Sequence, residues 1–242
     1  MKTIGIIGGM GPASTMIYYE TLCEIARARS GGNASARVII DALDFGEVQA
    51  LQQSGNWDEA GQQLADSALR LERAGAELVL LATNTMHKVA APLQQALSVP
   101  FIHIIDATAS RLRAEGRHVP ALLGTSYTME EPFYPDHFAS TFGAPPVVPE
   151  PRERDDIHRI IFDDLVKGVV TPETTRRYVD IVRLISASFG LAFTSFSVTG
   201  FGMSASARMW TQSHRSSSVV ESGALSAQTS AMPTTSSPLL EW

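Results

Sequence analysis

Cysteine is nearly missing from this chain: among 242 residues, Cys23 stands alone. One thiol excludes an intramolecular disulfide framework and any zinc site built on several cysteines. Basic residues are outnumbered, 19 Lys and Arg against 25 Asp and Glu, for a net charge of −6. That balance argues against a nucleic-acid or anionic-membrane partner. No run of 18 or more apolar residues occurs, so no transmembrane helix is expected. The opening MKTIGIIGG is a short apolar run broken by glycines rather than a signal peptide. The expectation is a soluble, cytoplasmic protein.

What is present is alternation. Residues 4–7, 38–40, 78–81, 101–105, 121–123 and 146–148 are short apolar runs rich in Ile, Val and Leu. Such runs read as buried parallel strands. Between them lie amphipathic stretches at 13–29, 57–74, 87–97, 107–115, 130–140, 154–166 and 173–185. In the second of these, Ala60, Leu64, Ala68 and Leu71 recur every three or four residues, and Gly75 supplies a helix stop. Strand and helix alternating at this pace predict an α/β fold with parallel sheet. Beyond residue 185 the pattern ends. Residues 186–242 hold 15 serines against 9 in the preceding 185, and only four charged residues. This reads as a Ser/Thr-rich tail without a packed core.

Three strand ends carry candidate chemistry. Gly8-Gly9-Met10-Gly11-Pro12 follows the first strand and opens the first helix. It is either a plain glycine turn or an anion site at a helix start. It fails the dinucleotide fingerprint, because Ser14 stands where the third small residue belongs, and no phosphate-gripping lysine follows. Asp41 and Asp44, about 30 residues on, give no clear ribose-binding acid either. The second strand end, ATNTMHK at 82–88, lies at the carboxyl end of a strand, where open α/β sheets place ligands. Asn84 and Thr85 can donate to a carboxylate and Thr83 offers a hydroxyl, although the same composition would serve as a polar helix cap. His87 taken singly reads as structural. The third, LLGTSYTM at 122–129, repeats the layout of apolar strand, glycine and hydroxyl residues. Two such ends suit one small anionic ligand. Lys167 before Gly168 satisfies a helix dipole or meets an anion. Asp155-Asp156 and Asp163-Asp164 read as solvated helix faces rather than a metal site.

With IGIIGGMGP at 4–12, LDFGEVQALQQSGNWD at 43–58, ATNTMHK at 82–88, FIHIIDAT at 101–108, LLGTSYTM at 122–129 and IIFDDLVKG at 160–168, the chain resembles the aspartate/glutamate racemase family. That family works without pyridoxal phosphate or a metal, so the resemblance implies no cofactor. It implies two similar α/β lobes, each a parallel sheet flanked by helices, with the active site in the cleft between them and commonly a homodimer. The expected lobes are residues 1–104 and 105–185, the second incomplete. The implied substrate is aspartate or glutamate, racemised by removing the α-proton from one face and returning one to the other. Met10, Gln52, Asn84, Thr85, Thr125 and Lys167 are implied to line the substrate site. In that picture Asn84 and Thr85 hold the α-carboxylate, and Lys167 meets the side-chain carboxylate.

Two departures stand against the resemblance. Thr83 occupies the position of the first catalytic cysteine, and a hydroxyl is a far weaker acid than a thiol of pKa about 8.5. The second catalytic cysteine has no counterpart: Val198 falls at its place in a weak match, and Cys23 lies inside the first helix pattern. The 186–242 segment is therefore read as aberrant, either disordered or the product of a frameshift. The expected function is a racemase-type protein with Thr83 at the first catalytic position and the second base missing. The alternative is a relic, or a binding protein, that still holds a dicarboxylic amino acid.

Overall fold

The computed structural model describes residues 1–188. The expected tail from residue 189 onward, and Val198 with it, lies outside the described residues. Four parallel strands form one sheet in the order β2-β1-β3-β4: β1 Ile4–Gly8, β2 Val38–Ala42, β3 Leu78–Leu81 and β4 Phe101–Ile102. β1 is the pivot, with Ile4 opposite Val38 on one side and Leu78 on the other. The chain passes from β1 to β2 at one edge and then returns to place β3 on the opposite side. The carboxyl ends of β1 and β3 therefore flank the topological switch point of the sheet, the crevice where such folds bind ligands.

Helices α1 (Pro12–Ser30), α2 (Phe45–Ser54), α3 (Trp57–Arg73) and α4 (Ala90–Ala96) connect and flank these strands. The stripe read in the sequence is buried as expected: Ala60, Leu64, Ala68 and Leu71 join Ile7, Val79 and Leu81 in one core. Helix α2 was not legible as a helix. Asp44 starts it by accepting hydrogen bonds from the N–H groups of Gly46 (2.7 Å) and Glu47 (3.3 Å). Left-handed Gly55 closes it. Strand β4 is shorter than the expected 101–105, because the His103 side chain caps α5 (Ile104–Ala114) by accepting from the Ile105 N–H.

Helices α5, α6 (Ser126–Glu130), α7 (Phe133–Phe142), α8 (Pro151–Asp163) and α9 (Pro172–Ser188) enclose a second core around Ile105, Tyr134, Phe138, Ile157 and Ile181. The strands expected at 121–123 and 146–148 are reduced, among the described residues, to one isolated parallel bridge between Ala121 and Val147. The expected helix at 154–166 ends at Asp163 and passes into a 3-10 turn, Leu165–Lys167, closed by left-handed Gly168. The acidic pairs are not all solvated. Asp156 is paired with Arg159 and Arg177, and Asp164 accepts from the Thr174 hydroxyl at 2.6 Å.

Candidate functional site

The glycine turn after β1 has a packing explanation. A Cβ on Gly9 would stand 2.1 Å from the Leu43 carbonyl oxygen, and its φ of +85° also disfavours any side chain. A Cβ on Gly8 would meet the Thr15 side chain at 2.5 Å. These contacts let β1 end tightly between the start of α1 and the residue after β2, where the Leu43 N–H donates to the Gly8 carbonyl. The Thr15 hydroxyl accepts the Gly9 N–H at 3.0 Å. Met10 is fully buried in the first core together with Met86. Asp41 is held by Ser67 and Arg70, and Asp44 caps α2. Both acids are thus engaged structurally, which removes the ribose partner a dinucleotide site needs.

β3 delivers the second strand end beside the first, with the Ala82 N–H donating to the Ile7 carbonyl at 2.9 Å. The chain then enters a 3-10 turn, Thr85–Val89, so Thr83, Asn84 and Thr85 point into the interior and all three are buried. His87 pins this turn from below. Its Nδ1 lies 2.7 Å from the Thr83 carbonyl oxygen, and its Nε2 accepts the Ile104 N–H at 3.3 Å. That pattern assigns the neutral ring with hydrogen on Nδ1. Burial first, and the neighbouring His103 second, push His87 down to about 3, so it is a neutral strut rather than a proton carrier at neutral pH. The structural role read for His87 in the sequence is what its geometry shows.

The third strand end meets the second directly. Thr125 caps α6, and its hydroxyl lies 3.0 Å from that of Thr85 and 3.1 Å from that of Thr128. Thr85 and Thr128 are 3.4 Å apart, and all three residues are buried. Three rotatable O–H groups at one point can turn toward a carboxylate oxygen. Gln52, from α2, is tied to the neighbouring residue of the same turn instead, donating from Nε2 to the Met86 sulfur at 3.1 Å. Lys167 does not join the hydroxyl group. It is exposed on the turn after α8, where its N–H donates to the Asp164 carbonyl.

Beside Gln52 a cavity of about 270 Å³ opens between the two cores, lined by α2 (Gln49, Gln52, Gln53), Tyr127 of α6, and α8 (His158, Arg159, Phe162, Asp163). Its α8 wall is braced by His158, whose Nδ1 accepts the Ser126 N–H at 3.1 Å. Burial holds the His158 pKa below the ordinary value, against the pull of Asp155, Glu130 and Asp163. Phe45 stacks on Phe162 across the same gap, with centroids 6.3 Å apart. Lys88 spans it as well, over the Trp57 ring at 3.7 Å and paired with Glu131 at 2.5 Å. Tyr127, Thr128 and His158 were not singled out in the sequence. The repeat of hydroxyls in TSYT was the available signal for Thr128, and nothing local marked His158. Cys23 sits on α1, eight residues past Thr15, or about 12 Å along the helix.

The model of the family described as Asp/Glu/Hydantoin racemase matches residues 7–192. Among solved structures, one from Yersinia pestis assigned as an Asp/Glu racemase is 33% identical, with a TM-score of 0.72 over 88% of this chain and 99% of that one. An aspartate racemase homologue from Pyrococcus horikoshii is 32% identical, with a TM-score of 0.68 over 90% and 100% of the two chains. The broad-specificity amino-acid racemase RacX of Bacillus subtilis is 27% identical over 139 residues. That match spans 54% of this chain and 58% of the curated relative.

Proposed function

We propose, from the premise that this chain belongs to the Asp/Glu/hydantoin racemase family, that it is a cofactor-independent amino-acid racemase-type protein for aspartate or glutamate, with turnover limited by its missing thiols. The observation that carries the reading is the 3.0 Å approach of Thr85 to Thr125. It brings hydroxyls from the two strand ends to one buried point beside Thr83 and Asn84. In this reading the lobes are residues 1–104 and 105–185. The Asn84 amide and the Thr85 and Thr125 hydroxyls take the α-carboxylate, which leaves the α-carbon beside Thr83. Met10 and Gln52 complete the wall, and Lys167 meets the side-chain carboxylate as the lobes close.

The α-proton is weakly acidic, and two opposed bases are needed for full racemisation. Thr83 supplies one hydroxyl in place of a thiolate, and Cys23 on α1 is remote from the crevice. A protein that binds the dicarboxylic amino acid without turning it over is the second reading, and the placement of its sole thiol favours that one. Proton NMR in D₂O separates them. Incubation with L- and D-aspartate, then L- and D-glutamate, is expected to erase the α-proton signal slowly for one enantiomer. Thr83→Ala abolishes that exchange. Thr83→Cys raises it by on the order of 10²-fold, the ordinary contribution of a competent general base, still without racemate. Binding without exchange in wild type and Thr83→Cys alike would leave the binding reading standing.

A further inference from the structure

Away from the crevice, on the outer side of the second core, His103, Asp106 and His137 each offer one ligand atom, all within 4.8 Å of one another. We propose that these three side chains form a site for a divalent transition-metal ion of the zinc type. His103 caps α5, Asp106 lies in its first turn, and His137 projects from α7. The two helices are fixed against each other by buried Ile105, Ala109, Tyr134 and Phe138, so the ligands stand on rigid elements.

The three ligand atoms already lie close together, and the two rings turn out of their stack to bring their lone pairs to one ion. His137 Nε2 lies 2.6 Å from Asp106 Oδ1, and the rings of His103 and His137 stack at 4.3 Å with 10° between planes. Outer contacts steady them: the Thr141 hydroxyl donates to Asp106 Oδ1 at 3.2 Å, and the Ile105 N–H donates to His103 Nδ1 at 3.3 Å. Because Nδ1 accepts there, the neutral ring carries its hydrogen on Nε2; to ligate through Nε2, His103 moves that hydrogen to Nδ1 and releases the Ile105 bond, while Thr141 still holds Asp106. Such supports orient ligands in established metal sites. Two imidazoles and one carboxylate suit zinc, cobalt or nickel and discriminate against magnesium and calcium, which require oxygen ligands. The side chains of His137 and Asp106 are 37% and 52% exposed, so an ion reaches them from solvent and keeps water in its remaining position. The ion takes the place of the hydrogen between His137 Nε2 and Asp106 Oδ1, and in the neutral ring that hydrogen moves to Nδ1.

Occupancy clips α5 to α7 and reaches inward. The His103 ring touches that of His87 at 4.5 Å, and His87 holds the Thr83 carbonyl. The ion thus stiffens the turn beneath the crevice without entering it. Zinc titration of the tag-free, chelator-stripped full chain tests the proposal. The expected result is saturable binding of one equivalent and a raised Tm, with no effect of magnesium. Asp106→Asn and His137→Gln each weaken binding at least about tenfold, while His118→Gln leaves it unchanged. A readout that needs no variant is protection by zinc of His103 and His137 against carbethoxylation, read by peptide mass spectrometry. Absence of saturable binding, full binding in both variants, or unprotected histidines would each overturn the site.

Discussion

The crevice is assembled from two strand ends that look alike in sequence and are supported differently. Residues 82–88 follow β3, which pairs with β1 on one side and β4 on the other, and His87 ties their backbone from below. Residues 124–129 follow a segment that, among the described residues, has a single parallel bridge. Their order comes instead from the Thr125 cap and from His158 on α8 accepting the Ser126 N–H. A backbone held by a ladder resists local opening, whereas one held by side chains moves with the helix that carries them. The first half of the crevice is therefore the fixed jaw, and the second follows α8.

The largest effect is expected at the fixed jaw. Gly9→Ala drives a methyl group against the Leu43 carbonyl in a left-handed backbone, and should cost about 3 kcal/mol. Urea unfolding of the full chain measures it, and a loss below about 1 kcal/mol would mean that the end of β1 is more yielding than this comparison holds.

Acid strains the same jaw. The folded-state value of His87, about 3, lies below its ordinary 6.5. Above pH 6.5 folded and unfolded chains are both neutral at this ring, and stability is intact. As pH falls from 6.5 toward 3 the unfolded chain takes the proton first. Stability should drop by about 2 kcal/mol by pH 5 and keep falling toward pH 3. His103, pushed down to about 4 by burial first and His137 second, acts in the same direction. Denaturant midpoints at pH 5 and 7 test the sign, and His87→Asn should flatten the difference.

Across the gap, Thr85→Val and Thr125→Val should each cost about 1 kcal/mol, with a coupling energy of similar size in the double variant. Additive losses would show that the two hydroxyls do not meet in solution. The smallest effect is expected at Lys167. The exposed Lys167→Gln variant should change stability by less than about 0.5 kcal/mol yet weaken dicarboxylate binding, measured by calorimetry. Unchanged affinity would remove it from the site.

Much of the crevice was legible because its halves are local. Gly8 to Met10, Thr83 to Thr85 and Thr125 each sit directly after an apolar run, and apolar runs announce buried strands. What was missed depends on contacts distant in sequence. Helix α2 lacks a strong apolar stripe and is held by its Asp44 cap and by Phe45 stacking on Phe162, more than a hundred residues away. His103 sits in an apolar run that reads as strand, but its side chain caps a helix. His158 has no local mark at all; it matters because α8 packs behind Ser126.

The sequence alone determined the alternation of strand and helix, the placing of the polar turns at strand ends, and the presence of a single thiol, Cys23, since each depends only on residue type and short-range spacing. The tertiary structure decided which turns face each other, that Asp41 and Asp44 are structural, that His87 is neutral, and that His103, Asp106 and His137 converge. Apart from the local Asp44 cap, those outcomes follow from burial and from pairs 26 to 40 residues apart. Chain closure over such distances is a property of the whole packed core, and no short window of sequence contains it.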